Sequence, residues 1–557
     1  MMGDILSNHI SEVLKEQGFP IPAYIVEHPA DLSHGDYTTN VVLILAKEIG
    51  KDPQELAQKI VHALEQKKIE EVAKISIAGA GFINFYFLQS FFVRNIFEIL
   101  QKEETWGSNT SLVGEKIMIE HSQPNPFKPF HIGHLMSNTI GESISRLMRF
   151  SGADVRAVNY QGDVGLHVAK AMWGIRDLNL NPQSIEDLGK AYVHGNTQYE
   201  DSEIAKAEII ELNKKIYKHD PAIQDMYEVG RDTSLKHFDE LYEILGSRFD
   251  HLFFEGDVWE TGKALVGEGK EKGIFEESEG ATVFHGEPYG LHTRVFITAA
   301  DIPTYEAKDL GLIEAKRDFF PFDTSITVTA VEQEQYFNTV FKAYELLRPK
   351  RKGALVHIAH GMMQLSSGKM SSRRGNIITG ESLLQDVQDR AQSLIKESSK
   401  ENAHEIVDAV AVGAIKYSIL KQAVRKNISF DPEKSLSFEG DSGPYLQYTC
   451  ARAHTLLEKA GTKKEKEVGS PPPHTGDIER LVYRFPEVVL RAQTEYEPHY
   501  LVTYLTLLAG VFNSWYAKEK ILDGGPEEAY KLAITRAVMV TLKNGLWLLG
   551  IKAPTKM

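Results

Sequence analysis

His131-Ile132-Gly133-His134 sets two imidazoles three residues apart, where a proline-punctuated loop (SQPNPFKPF) gives way to a helical pattern. At a helix start that spacing turns both rings toward one spot. Unpaired backbone N–H groups and the positive end of the helix dipole lie beside it, which suits a phosphate. Gly133, lacking a side chain, lets a flat ring lie against the backbone. The group suits ATP, the imidazoles stabilising charge on the α-phosphate as it is attacked. The same residues could be ordinary surface histidines or half of a metal site, although no cysteine or nearby carboxylate completes a ligand set. A second group, Ser367 to Gly375 (SGKMSSRRG), gathers three cations and two hydroxyls between glycines. It could wrap a triphosphate and stabilise departing pyrophosphate. Alone it could equally be an exposed basic loop or an RNA contact.

These residues need a scaffold. KIMIEH reads as a short buried strand, Leu135 to Phe150 as a helix with Ile140, Ile144, Leu147 and Met148 inward, and VRAVNY as the next strand. Strand, loop, helix, strand implies a parallel sheet with a crossover. RVFIT and SITVTAV read as further buried strands flanking a helix, PTYEAKDLGLIEA. Residues about 175–245 are polar and helical, and about 246–290 glycine-rich and acidic, so both read as insertions on the sheet. Ahead of this lies an α+β unit. Its helices include one started by Asp52-Pro53, and KISIAGAGFINFYF alternates like strands around a glycine turn. From about residue 380 the pattern is helical, broken by GTKKEKEVGSPPPHTGD.

Composition bounds the rest. A chain of 557 residues suggests three or four domains. No apolar run approaches the ~20 residues of a membrane span, and the polar N-terminus lacks a signal-peptide pattern, so a cytoplasmic protein without membrane attachment is expected. The single cysteine, Cys450, excludes an internal disulfide and a multi-cysteine zinc site. A net charge of −15 makes a generic basic nucleic-acid coat improbable, while leaving room for a local basic groove.

Taken together, HIGH at 131–134 and KMSS at 369–372 resemble the class I aminoacyl-tRNA synthetases. Within them the chain resembles the arginyl-tRNA synthetases, on GDYTTN (35–40), GFINFYF (81–87), IEHSQPNPFKPFHIGH (119–134), NYQGDVG (159–165), PTYEAKDLG (303–311), GKMSSRRGN (368–376) and GPYLQYTCAR (443–452). The terminal LGIKAPTKM is similar to the family's usual ending, so the chain is expected to be complete. The resemblance implies a multidomain α/β protein. A Rossmann-like parallel-sheet catalytic domain (113–380, insertions about 175–290, KMSS loop 368–375) follows an N-terminal α+β domain gripping the tRNA corner (1–112). A C-terminal all-α anticodon-binding bundle (381–557) completes it.

It implies that arginine is activated with ATP and magnesium, pyrophosphate is released, and arginine passes to the 3′-terminal ribose of tRNA(Arg), with no structural zinc and a monomer expected. The matching ATP positions are His131, Gly133, His134, Lys369, Met370, Ser371 and Ser372. Ser372 stands where the usual pattern has a second lysine. Lys128, three residues ahead of His131, is inferred to share that work, with Arg373 and Arg374 as rivals. The arginine positions are Glu120 (for the α-amino group), Asn125, Tyr305, Asp309 and Gln333; Tyr305 and Asp309, four apart, share a helical face. For tRNA they are Phe82 and Asn84, stacking on and hydrogen-bonding a D-loop base, of which Asn84 has the weaker case for mere packing. A basic stretch, Lys416, Lys421, Arg425 and Lys426, with Tyr445, Gln447, Tyr448 and Arg452, could touch RNA or pack a helix junction. Other class I synthetases, for cysteine or glutamine, a small nucleotidyltransferase and a non-catalytic RNA-binding relative are the rivals. The first lacks its metal cysteines, the second would not carry GDYxxN, the third needs no distant KMSS loop, and the last needs no ATP site.

Overall fold

The computed structural model describes residues 2–366, 379–394, 403–461, 469 and 471–557. The KMSS loop residues Lys369, Met370, Ser371 and Ser372, with Arg373 and Arg374, lie outside them, as do residues 462–468 and 470 of GTKKEKEVGSPPPHTGD.

At the centre is a five-stranded parallel sheet in the order Leu355–His360, Thr324–Ala330, Lys116–Glu120, Asp154–Gln161, His251–Phe254. Its strands are short apolar runs because both faces are covered. The chain starts on the middle strand, builds outward to His251–Phe254, then returns to lay Thr324–Ala330 on the other side. The order therefore reverses at the carboxyl end of Lys116–Glu120, and such switch points open a crevice for a ligand. The 121–131 loop leaves from that point.

The helix after it, Ile132–Phe150, carries buried residues on every face. One side packs on the sheet and the other on the C-terminal helices Ala403–Leu420, Phe485–Glu495 and Glu528–Leu548. Ser143 Oγ donates to the Leu548 carbonyl (2.9 Å), and Arg146 donates to the carbonyls of Trp547 (2.8 Å) and Gly246 (2.7 Å). Gly141 allows the close approach of His121, since a Cβ there would meet His121 Cβ at 2.3 Å. Sheet and bundle consequently share one continuous apolar core, running from Ile119 and Ile140 to Val410, Leu446 and Leu546.

The insertion splits in two. Helices Leu166–Asp177, Ile185–Asp201, Glu203–Tyr217 and Pro221–Leu245 form one part. The other holds an antiparallel three-stranded sheet of Glu276–Ser278, Ala281–Phe284 and Arg294–Ile297. RVFIT thus belongs to this small sheet and not to the parallel one. Its apolar run has the same signature in either, and only the partner strand distinguishes them.

The N-terminal unit has an antiparallel sheet, ordered Val26–Glu27, Tyr37–Thr39, Phe82–Phe87, Val72–Ala78, with helices over it and its own core around Leu6, Val41, Ile60 and Phe85. The GDY residues tie it to the bundle. Asp36, fully buried, accepts a hydrogen bond from Phe87 N (2.7 Å) and pairs with Arg480. The Tyr37 hydroxyl donates to Glu487, which also meets His28 Nε2 at 3.0 Å. Tyr483 packs edge-on against Phe91 and Phe92, ring centroids 5.4 and 5.5 Å away.

Arg480→Met strands the Asp36 carboxylate in this interface. It is expected to cost about 3 kcal/mol, the range for breaking a buried pair, and to expose the N-terminal unit to limited proteolysis. Arg94→Met, which breaks a half-exposed pair with Glu71, is expected to stay within ~0.5 kcal/mol. Urea unfolding and a proteolysis time course check both; equal behaviour of the two variants contradicts the assignment.

Candidate active site

The loop from the switch point is wound tightly. Ser122, Gln123 and Phe127 take left-handed backbone at φ 77°, 55° and 65°, conformations that cost non-glycine residues about 1 kcal/mol or more each. Each strained amide is held by a side chain: Ser122 N donates to Ser137 Oγ (3.0 Å), Gln123 N to Asn159 Oδ1 (3.0 Å) and Phe127 N to Ser234 Oγ (2.9 Å). The sheet and two helices thus fix the path that delivers Asn125, Lys128 and His131.

His131 caps the helix. Its Nδ1 accepts from the N–H groups of Gly133 (3.1 Å) and His134 (3.3 Å), while His134 Nδ1 accepts from His131 N (3.2 Å). With both Nδ1 atoms accepting, each neutral ring carries its proton on Nε2. Burial lowers both pKa values, that of His134 strongly, and Lys128 nearby adds to the effect. The rings stack at 3.4 Å. The pair is therefore neutral at pH 7 and offers two Nε2–H donors.

Lys128 has its Nζ 5.4 Å from the centre of the Tyr192 ring on the insertion. Burial lowers its pKa, while Glu255 opposes that shift and Lys170 adds to it. His167 Nε2 contacts the Gly162 carbonyl at 2.8 Å, and burial takes its pKa down to about 3. Asp163 accepts from Gly256 N, Tyr227 and Arg231, bracing the GDVG turn.

Beside this lies a group of buried charges, at the sheet edge where the strand order opens a crevice. Glu120, at the end of the middle strand, pairs with Lys316 and accepts from Gln123 Nε2 at 2.6 Å. Asp309, 9% exposed, accepts from the Tyr336 hydroxyl at 2.7 Å. Burial pushes its carboxyl up to about 8; the Tyr336 hydrogen bond opposes this, and Glu120 adds to it. Glu255 and Lys308 pair at 2.9 Å, with the Tyr217 hydroxyl 3.0 Å from the ammonium. Asn125 Oδ1 accepts from Gly162 N at 2.8 Å. A Cβ on Gly162 would crowd both Asn125 and Glu255, which places that carboxylate beside the loop. Tyr305, on the first turn of Tyr305–Phe319, is largely exposed, 5.2 Å from Lys308 Nζ. Gln333 ends the short turn after Thr324–Ala330 and is exposed.

The RNA candidates fall differently from expectation. Phe82 is 40% exposed, whereas Asn84 is buried and accepts from Thr38 Oγ1 at 2.7 Å. Asn84 lies mid-strand with partners on both sides, while Phe82 sits at the strand's end. In the bundle, Lys416 is fully buried, its Nζ on the Gly550 carbonyl (3.0 Å) and its pKa lowered to about 7 by burial. Gln447 donates to the carbonyls of Ala409 and Lys552, so both pack the junction and neither offers an RNA contact. Arg425 makes a forked pair with Glu334. Arg452 donates to Asn513 Oδ1 and stacks on the half-buried Tyr448.

Sequence reasoning missed Lys316, Tyr336, Glu255 and Lys308. Lys316 stands seven residues after Asp309, two helical turns on the same face, which was the available signal. Among the described residues no group of three histidine, cysteine, aspartate or glutamate side chains is placed to hold a metal ion, and no helix is long and apolar enough to cross a membrane.

Comparison with known proteins fits this geometry. Residues 95–431 match the model of the class I (R) tRNA synthetase catalytic domain, 4–87 the arginyl tRNA synthetase N-terminal domain, and 446–557 the DALR anticodon binding domain. The arginine–tRNA ligase of Borreliella afzelii is 30% identical over 96% of this chain and 94% of its own length. That of Streptococcus pneumoniae is 30% identical over 100% and 99%. Among solved structures, Thermus thermophilus arginyl-tRNA synthetase superposes with a TM-score of 0.81 at 26% identity, both chains fully covered. The Plasmodium falciparum enzyme shares the fold, with a TM-score of 0.82 at 20% identity over 100% and 98%. With three family models in register along the chain and HIGH capping the helix that follows the middle strand, the chain belongs to the arginyl-tRNA synthetases of class I.

Proposed function

We propose that this chain is an arginine–tRNA ligase in which the crevice seats L-arginine and the HIGH helix end seats ATP. The observation that carries this is the buried Asp309 carboxyl, whose hydrogen-bond partner among the described residues is one tyrosine. Such a group calls for a cation, and a guanidinium supplies one with planar donors. Asp309 takes the guanidinium, with Tyr305 along its stem and Gln333 at the rim. Glu120 and Asn125 take the α-amino end. The substrate carboxylate then faces the α-phosphate of ATP, which enters with its magnesium. Attack forms the mixed anhydride of arginine and AMP and breaks the bond to pyrophosphate. The Nε2–H groups of His131 and His134 donate to the phosphate oxygens as charge builds, and Lys128 takes a phosphate oxygen as a point charge. In this reading Lys369, Met370, Ser371 and Ser372, outside the described residues, serve the triphosphate, and Lys128 stands in for the second lysine that Ser372 replaces, in preference to Arg373 or Arg374. The arginyl group passes to the 3′-terminal ribose of tRNA(Arg), with Phe82 stacking at the tRNA corner and Asn84 buried behind it, and Arg425, Tyr448 and Arg452 on the bundle side.

ATP–pyrophosphate exchange tests the chemistry. Arginine alone among the amino acids is expected to support it, with tRNA present. His134→Ala is expected to lower kcat about 100- to 1,000-fold, the range for losing one transition-state donor, and Lys128→Met by about as much. Exchange with a different amino acid, or full activity in both variants, contradicts the proposal.

The Asp309 carboxyl gives a pH signature. Its pKa is raised, so the folded chain keeps, from about pH 4 to 8, a proton that the unfolded chain has lost. Its contribution to stability therefore falls as pH rises through that window. A bound guanidinium favours the ionised form, so arginine is expected to release a proton on binding at pH 7, and its KM to fall between pH 6.5 and 8.5. Calorimetry in buffers of different ionisation heat checks the proton count. Asp309→Asn is expected to remove it, and an unchanged count in that variant contradicts the seat.

A further inference from the structure

The crevice contains two lysines of its own, and the substrate contacts just described use neither. Lys316 is the deeper. Its side chain is 3% exposed and pairs with a Glu120 carboxylate that is 3% exposed. As a device for stability this is a poor choice, because apolar side chains of similar volume would fill the space at least as well. Its geometry suits another task. Glu120 stands on the last residue of the middle strand, at the switch point. Lys316 holds Oε2, and Gln123, itself fixed in left-handed backbone, holds Oε1. Each oxygen keeps one lone pair for a further donor, so the carboxylate is aimed before any substrate arrives.

The charges agree with this. Once arginine binding ionises Asp309, the carboxylates of Glu120, Asp309 and Glu255 against the ammonium groups of Lys308 and Lys316 leave one negative charge. Free arginine carries two cationic groups and one carboxylate, a net of one positive charge. Without Lys316, Glu120 would repel Asp309 and Glu255 uncompensated. The opposing influences of Glu120 and Lys316 on Asp309 show that the three sense one another.

We propose that Lys316 is a positioning residue for the amino-acid substrate: it pins Glu120 so that the free lone pairs of that carboxylate receive the α-ammonium group. This rests on the reading that Glu120 meets the α-amino end of arginine. The role also separates the two ends of the substrate, with Lys316 acting through Glu120 on one and Asp309 acting directly on the other.

The test is exchange kinetics on Lys316→Met, Lys316→Arg, Glu120→Gln and the double variant. Inhibition by the arginine analogue bearing a hydroxyl in place of its α-amino group is measured beside them. Lys316→Met is expected to raise the KM for arginine about 30-fold, the order of one charge-assisted hydrogen bond. The KM for ATP and the inhibition constant of the hydroxy analogue should stay within about threefold, and Lys316→Arg should recover most of the loss. The double variant carries no stranded charge and is expected to match Glu120→Gln alone. It also decides the matter should Lys316→Met fail to fold.

Equal losses of arginine and the hydroxy analogue in Lys316→Met, or a lowered Tm with arginine KM unchanged, would reduce Lys316 to a packing role. A double variant markedly worse than Glu120→Gln would do the same. Should Glu120→Gln raise the arginine KM while Lys316→Met does not, the Glu120 reading stands and only the Lys316 proposal falls. Should Glu120→Gln leave the arginine KM unchanged, both fall.

Discussion

Asp309 lies where water scarcely reaches, on a helix that faces the carboxyl end of a parallel sheet. A carboxylate in that position is costly to ionise, and the cost is recovered when a cation arrives. Much of the crevice can be read from that constraint. Tyr336 orients the group without neutralising it, and Lys308 and Lys316 are committed to Glu255 and Glu120. The sheet order puts these buried charges beside the loop that leaves Glu120, so the seats proposed for the amino acid and for the phosphates open from the same edge.

The second constraint is the Ile132–Phe150 helix. Its first turn carries the two histidines proposed to meet the phosphates, and its remaining turns are buried in the shared core, so the histidines are mounted on an element packed on both sides. Arg146 and Ser143 couple its far end to the closing helix of the bundle. The N-terminal unit is coupled to the same bundle through Asp36, Tyr37 and Glu487. The N-terminal unit, the sheet and the bundle are thereby held to one frame, and the strained 121–131 loop leaves it at the switch point.

Much of this was legible in the sequence. Short apolar runs around HIGH give the parallel sheet, whereas Tyr305 and Asp309, four apart on one helix, differ in burial, the first exposed on the opening turn and the second buried. Capping signals such as Asp52-Pro53 appear where the helix Pro53–Gln66 begins. The rest depended on contacts between distant segments. Glu120 and Lys316 are 196 residues apart, and nothing local pairs them. Lys416 reads as one cation in a basic stretch, but AVAVGAIKYSIL around it is an apolar helix, and the tertiary burial of that helix overrides the charge pattern. Phe82 and Asn84 share a strand face by periodicity, and only the ends of the neighbouring strands decide which of them water reaches. RVFIT has the composition of a central strand, and its antiparallel partner Ala281–Phe284 takes it elsewhere.

The most direct measurement compares L-arginine with L-citrulline, its neutral near-isostere, in the wild-type chain and in Asp309→Asn. With a buried carboxylate as the guanidinium seat, citrulline is expected to compete at least ~1,000-fold more weakly than arginine, because a site built for a charged donor is left unpaired by a neutral one. Asp309→Asn should lose most of its affinity for arginine and little of that for citrulline, narrowing the ratio about 100-fold. A ratio unchanged by the substitution would mean that the guanidinium sits elsewhere.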